Sequence, residues 1–284
     1  MRKIFLFFIL CLLGLSARAL DISEGFTYSK DFWQNSVEIS QNFDYMFNVG
    51  LNFDITEHDD IPHHIYTFSV PLMFRTEKIG LYLRPFIVPD NANDASAYGA
   101  KASFTFNIKQ DEIDNSSSSL FLSAGFANQN AYVSKSDLST KKEDFKQMSY
   151  EGGLIFDYFN TYFFEFSGNM FDYISGISDV ENVAGVLDQQ NIASLDTLNY
   201  VLNLPKSSAG IKIRWNSEAS QSSNTLSYRY IEFKEHDTKA HHSLMLSSAI
   251  MLKYNLYINL AYNHIFIQAQ KDKNIFKGAI SLKF

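Results

Sequence analysis

From Leu20 onward, apolar and polar residues alternate with a period of two through most of the chain. Between positions 45 and 55 the odd residues are Tyr45, Phe47, Val49, Leu51, Phe53 and Ile55, and the even ones are Met46, Asn48, Gly50, Asn52 and Asp54. Successive side chains of an extended strand point to opposite faces, so this pattern predicts a strand with one apolar and one mostly polar side. The same alternation runs through Tyr66 to Phe74, Tyr98 to Ile108, Ala209 to Trp215, Leu244 to Tyr254, Leu256 to Tyr262 and Phe276 to Phe284. Fourteen such runs are predicted: 22–30, 33–43, 45–56, 64–75, 78–88, 97–109, 119–133, 147–159, 161–172, 207–216, 224–234, 242–254, 256–268 and 274–284. The count becomes twelve if 22–30 is a tail and one further run fails.

Most runs have roughly the 9–11 residues that a tilted strand needs to cross a bilayer. Tight links at 43–45, 76–77, 159–161 and 254–256 alternate with longer ones at 57–63, 89–96, 134–146, 173–206 and 235–241. Short turns on one rim and long loops on the other are the mark of a transmembrane barrel. The segments 110–118 and 217–223 are long for the short-turn rim. Aromatic residues stand at the ends of the apolar faces: Tyr45 and Phe53, Tyr66 and Phe74, Tyr150 and Tyr158, Tyr162 and Phe166. Rings at two levels match the aromatic girdles of membrane barrels. A secreted β-sandwich also alternates, but has no use for so many outward rings. The predicted fold is therefore all-β: a transmembrane antiparallel up-and-down barrel in a single domain, residues 20–284.

Composition agrees with a two-sided wall. The chain holds 26 Phe and 16 Tyr among 284 residues, yet its mean hydropathy is −0.14. That hydrophobic content excludes general disorder, and only the N-terminus is apolar for long enough to suggest a membrane helix. This stretch, MRKIFLFFILCLLGLSARA, has a basic start at Arg2 and Lys3, an apolar run from Ile4 to Leu15, and Ala17-Arg18-Ala19 as a cleavage motif. It predicts a secretory signal peptide over 1–19. The single cysteine, Cys11, falls inside it, so no disulfide supports the exported chain. Without Arg2, Lys3 and Arg18 the 24 basic residues fall to 21 against 31 acidic ones, a net charge of −10. Nucleic acid is excluded as a partner for such a surface.

The signal from Arg2 to Ala19, the alternating strands and the final Ile280-Ser281-Leu282-Lys283-Phe284 together resemble the bacterial outer-membrane β-barrel superfamily, its porin-like members in particular. The terminal aromatic behind alternating apolar residues looks like the signal read by the barrel-assembly machinery. Gly278 stands one place earlier than the usual spacing. The resemblance implies outer-membrane location, contact with outer-membrane lipid, and passage of small solutes or ions. It identifies an architecture, and fold alone does not fix function.

Residues 173–206 break the alternation. Val180, Val183, Ala184, Leu187, Ile192 and Leu195 recur at three- and four-residue steps, which predicts one or two short helices, with Asp179 as an N-cap, in a long outer loop. Residues 197–204 offer an alternative reading as an extension of the next strand. The polar faces supply candidate pore-lining residues: Arg75, Arg84, Lys101, Lys212, Arg214 and Arg229 against Glu38, Asp44, Glu151, Asp157 and Glu165. Bases and acids fall on different strands, so they either set up a field across the pore or pair along the wall.

Six of seven histidines lie in two matching segments, Glu57-His58-Asp59-Asp60-Ile61-Pro62-His63-His64 and Glu235-His236-Asp237-Thr238-Lys239-Ala240-His241-His242. Imidazoles beside carboxylates suit zinc, copper or nickel, which makes His58, His63, His64, His236, His241 and His242 candidate ligands; a duplicated polar hairpin is the alternative. His264 falls on the outward face near a strand end, an interfacial position. No nucleophile elbow, H-E-x-x-H or phosphate-cradling glycine pattern is present, so no catalytic residue and no cofactor are proposed. The leading functional expectation is a channel for small hydrophilic solutes or ions. A non-conducting surface barrel that binds a partner through its outer loops is the alternative, and a lipid-modifying barrel enzyme a weaker one.

Overall fold

The computed structural model describes residues 20–30, 32–43, 46–58, 61–89, 96–111, 115–135, 140–174, 180–183, 205–217, 221–234, 240–267 and 272–283. The expectations for residues 1–19, Asp44, Tyr45, His236 and Phe284 fall outside them. Sixteen strand segments follow one another: β1 (Leu20–Ser29), β2 (Phe32–Phe43), β3 (Phe47–His58), β4 (Ile61–Ser69), β5 (Leu72–Arg75), β6 (Ile79–Val88), β7 (Ser96–Asp111), β8 (Ser116–Lys135), β9 (Thr140–Tyr158), β10 (Tyr162–Tyr173), β11 (Val180–Val183), β12 (Pro205–Ser217), β13 (Ser222–Phe233), β14 (His241–Lys253), β15 (Leu256–Ile267) and β16 (Lys273–Lys283).

These segments make fourteen staves. β4 and β5 are two halves of one stave, interrupted at Val70-Pro71, because proline has no N–H for the ladder. The sheet absorbs the break at Gly50, whose N–H donates to the Pro71 carbonyl at 2.8 Å; a Cβ at Gly50 would lie 2.7 Å from the proline ring. β11 is a short addition to the far end of β8, beyond the point where β7 begins. All neighbouring staves are antiparallel, and β1 pairs with both β2 and β16, so the ring closes without an edge. Fourteen staves stand between eight-stranded barrels filled by side chains and sixteen-stranded open porins.

The two rims differ as the link lengths predict. At one rim a three-residue link, 159–161, joins β9 to β10: Phe159 and Asn160 take φ of 56° and 54°, and the Thr161 N–H donates to the Tyr158 carbonyl at 3.0 Å. Two successive positive φ values match the right-handed twist of a hairpin. The long 110–118 and 217–223 links shrink because Asp111 pairs with Ser116 and Ser217 with Ser222.

Three expected loops are corrected at the other rim. Residues 57–58 and 61–63 continue β3 and β4, and Ile61 pairs with His58. Residues 134–135 and 140–146 continue β8 and β9, which run for 20 and 19 residues, about twice what a bilayer needs. Above the lipid no apolar face is imposed, so the polar run Lys141-Lys142-Glu143-Asp144 reads as loop in sequence while its backbone still pairs. Val180–Val183, expected at the start of a helix, is strand. The rest of that predicted helical region, 184–204, lies outside the described residues, among which there is no helix.

Alternation sorts the side chains to two sides. Outward residues such as Leu81, Leu122, Leu246 and Ile280 are exposed on the barrel's exterior. Burying one Leu or Phe contributes about 1.5–3 kcal/mol, and in this wall that gain has to come from lipid. Inward, the half nearer the long-loop rim carries packed apolar groups. Ile65, Phe86, Val88, Ala97 and Ala127 form one cluster, and Phe32, Ile265, Ile267 and Ile275 another.

Candidate functional site: the lumen

The lumen has a packed side and an open side. On the packed side, β2 to β6 bring polar residues together with almost no exposure: Gln34, Asn52, Asp54, Thr67, Ser69 and Arg84. Arg84 donates from Nε to Ser69 Oγ at 2.9 Å and lies within electrostatic reach of Glu38 and Asp54. Asn52 Nδ2 donates to Asp54 Oδ2 at 3.5 Å. One guanidinium thus stands near two carboxylates without closing an ion pair with either among the described residues, and Ser69 supplies its hydroxyl partner. Asp54 is the member of this group that charge reading of the sequence missed, although alternation had placed it on the polar face.

On the open side lies a cavity of about 300 Å³, lined from β6 round to β14. Lys101 and Glu151 meet in it at 2.9 Å, both side chains 12% exposed. They sit on β7 and β9 with β8 between them. Lys101 is opposite Gly125, which offers no side chain, so the ammonium passes over β8 to reach Glu151. Lys212 and Glu165 are direct cross-strand partners on β12 and β10, at 3.4 Å. Arg214 stacks its guanidinium 3.9 Å above the Phe163 ring, close enough to Asp157 to feel its charge. Of the two arrangements left open by the sequence, the described charges adopt pairing along the wall. Bases and acids that stand on separate strands meet by reaching over or beside one stave.

Arg229 is the exception. It lines the cavity from β13 and forms no ion pair among the described residues. Its side chain lies over Gly210, with Nε 3.6 Å from where a Cβ there would stand. Around it the wall is hydroxylic, with Ser167, Ser227 and Ser243 from three staves. Cancelling Lys101 against Glu151 and Lys212 against Glu165 leaves Arg229 as the uncompensated charge of the cavity. Arg75 stands apart, exposed at the short-turn end of β5.

Of the six candidate metal ligands, the structure describes the side chains of His64, His241 and His242, and these three do not meet. His64 points outward, 3.1 Å from Glu57 and beside the rings of Trp33 and Tyr66. His242 also points outward and shares a 2.7 Å hydrogen bond with Tyr228. His241 points inward against Phe233, ring centroids 4.5 Å apart. Consecutive strand residues face opposite sides, so a His-His pair within a strand cannot chelate one ion. His58 ends β3 and His63 lies in β4. Among the described residues no three His, Cys, Asp or Glu side chains are grouped to hold a metal. His264 joins Tyr262 and Asn274 in an outward rim network, as its position predicts.

No family model matches the chain, and no curated protein does. Solved structures similar in shape include porins and an outer membrane protein. The NanC porin aligns over 94% of this chain and 100% of its own at 6% identity, TM-score 0.44. A loop-deletion mutant of OmpT, an outer membrane protein of Vibrio cholerae, aligns over 94% and 98% at 8% identity, TM-score 0.48. OccK11 of Pseudomonas aeruginosa aligns over 94% and 95% at 9% identity, TM-score 0.42. The chain's own geometry carries the reading of its fold: a closed antiparallel ring, an outward apolar belt and a largely polar interior are what a bilayer requires of a β-protein. The chain is an all-β protein whose fourteen antiparallel staves close into a barrel of the membrane-spanning type.

Proposed function

We propose that this barrel passes small hydrophilic solutes or ions along the β7–β13 side of its lumen, with a preference for anions. The observation that carries the reading is the 300 Å³ cavity, whose two ion pairs cancel in place and leave Arg229 among serine hydroxyls. A hydroxylic wall exchanges hydrogen bonds with a hydrated solute at little cost, and a single fixed cation raises the local anion concentration. Arg84 and Arg214 stand outside this cavity, beside the wall's own acids, and Arg75 sits at the short-turn end of the barrel. Residues 1–19 direct export, Phe284 and the strand before it engage the assembly machinery, and the belt contacts outer-membrane lipid. Liposome swelling with neutral and charged solutes of graded size tests the proposal. Faster swelling than protein-free vesicles, with a sharp size limit, is expected; no difference at any size refutes it. A second reading, a surface barrel binding a partner, draws on the long β8–β9 hairpin. In that case vesicles stay tight while shortening the hairpin abolishes partner capture.

A further inference from the structure

The outward face of β1 carries Ile22, Glu24, Phe26 and Tyr28. Glu24 is exposed there, flanked by Val37 on β2 and Ile280 on β16. Leu20 and Ile22 lie on one side of it along the strand, Phe26 and Tyr28 on the other, and Tyr28 stands level with Trp33 and Phe276. Glu24 is therefore at mid-height in the apolar belt, and no partner for its carboxyl is found among the described residues. Other outward acids are placed differently. Glu57 is 3.1 Å from His64 at the rim, Glu232 is 3.6 Å from Lys206, and Asp172 is the penultimate residue of β10. A carboxyl at the bilayer centre is costly enough that it marks a functional position with a partner of its own.

Two neighbours indicate what that partner is. Asn35 points outward from β2 one step above Val37, between Phe26 and Ile55. Its Oδ1 is buried without a hydrogen-bond partner, which leaves the NH2 end toward the lipid side. Gly278 lies one step above Ile280 on the other flank, and a Cβ there would meet nothing nearer than Leu260 at 3.9 Å, so the surface is recessed. An acceptor and a donor on adjacent staves form a self-complementary pair. About a two-fold axis along the membrane normal, passing between β1 and β2, the Glu24 of each copy comes opposite β2 of the other.

We propose that a second copy of this chain covers the β1–β2 face, with each Glu24 carboxyl accepting a hydrogen bond from the Asn35 NH2 of the other copy. The recess at Gly278 lets the two walls approach. The interface does not depend on the channel reading, because the outer face of β1 takes no part in the lumen.

Full-length protein extracted from outer membranes into mild detergent is sized by native mass spectrometry, together with Glu24→Leu, Asn35→Leu and Glu24→Gln. Wild type is expected to be dimeric. Glu24→Leu and Asn35→Leu are expected to lower the dimer fraction at least tenfold, while Glu24→Gln, which keeps an acceptor oxygen, largely retains it. Retention of the heat-modifiable mobility of a folded barrel shows that each variant has folded. As a second measurement, Glu24→Cys mixed with Asn35→Cys in vesicles should form an intermolecular disulfide, while Ile211→Cys on the far side should not. A monomeric wild type, or a dimer undisturbed by Glu24→Leu, overturns the proposal.

Discussion

The Lys101–Glu151 pair tests whether lumen charges are held along the wall. The perturbations are Lys101→Met, Glu151→Gln and the double variant. The separation is 2.9 Å and each side chain is 12% exposed. Exposed pairs contribute about 0–1 kcal/mol, whereas removing one partner of a fully buried pair costs about 3–5 kcal/mol. A pair on the wall of a water-lined cavity lies between these limits. Each single change should therefore cost about 2 kcal/mol, a factor of roughly 30 in the folding equilibrium. The double variant leaves no unpaired charge and should cost about 1 kcal/mol, giving a coupling of about 3 kcal/mol. Guanidinium unfolding in detergent micelles, followed by tryptophan fluorescence, measures the cycle. A salt-gradient reversal potential gives an independent readout: Glu151→Gln should shift selectivity toward anions, Lys101→Met toward cations, and the double variant should return near wild type. Additive stability losses, or reversal potentials that move in the same direction for both singles, would refute wall pairing.

Three further outcomes are expected, two from the geometry and one from the C-terminal sequence. Arg229→Ala should move the reversal potential toward cation selectivity without altering stability by more than about 0.5 kcal/mol, since a partly exposed cation without an ion pair among the described residues contributes little to folding. Gly153→Ala should destabilise by about 1–3 kcal/mol, because its Cβ would run into the Phe166 carbonyl oxygen and the Phe121 ring; Gly168→Ala, with nothing within 4 Å, should be neutral or stabilising by up to about 1 kcal/mol in the same unfolding assay. Deleting Phe284 should leave refolding into detergent unchanged but reduce the amount assembled into outer membranes of cells, measured as the heat-modifiable fraction; equal assembly would remove that residue from the assembly signal.

How far the sequence carries the fold depends on how much each position is constrained. Within the bilayer a wall one side chain thick has only two faces, and lipid accepts one kind of residue. Phe53, Leu81, Ile211 and Leu260 therefore declare their side, and the fourteen staves follow. At the rim that constraint ends, so Lys141 to Asp144 and Val180 to Val183 do not read as strand although they pair as strand. The lumen charges were legible as a set but not as pairs. Face is a property of one strand, whereas the meeting of Lys101 with Glu151 depends on register across three strands and on Gly125 between them. The apolar clusters around Phe86 and Ile265 went unanticipated because apolar residues on a polar face appear as noise until neighbouring staves line them up. Glu24 went unremarked within the 22–30 run, because its isolation emerges only with Val37 and Ile280 beside it.

The measurement that bears most directly on the account is single-channel conductance with a thiol placed on each side of the lumen. From Leu20 onward the chain has no cysteine, so an introduced thiol is unique there. Ser227→Cys lines the open side, while Ser69→Cys sits in the packed side, where the native residue is 3% exposed. In planar bilayers the account predicts discrete conductance steps that fall by about half or more when a bulky charged thiol reagent modifies Ser227→Cys, and that stay unchanged for Ser69→Cys. Absent steps in the wild type, or block through Ser69→Cys with none through Ser227→Cys, would contradict it.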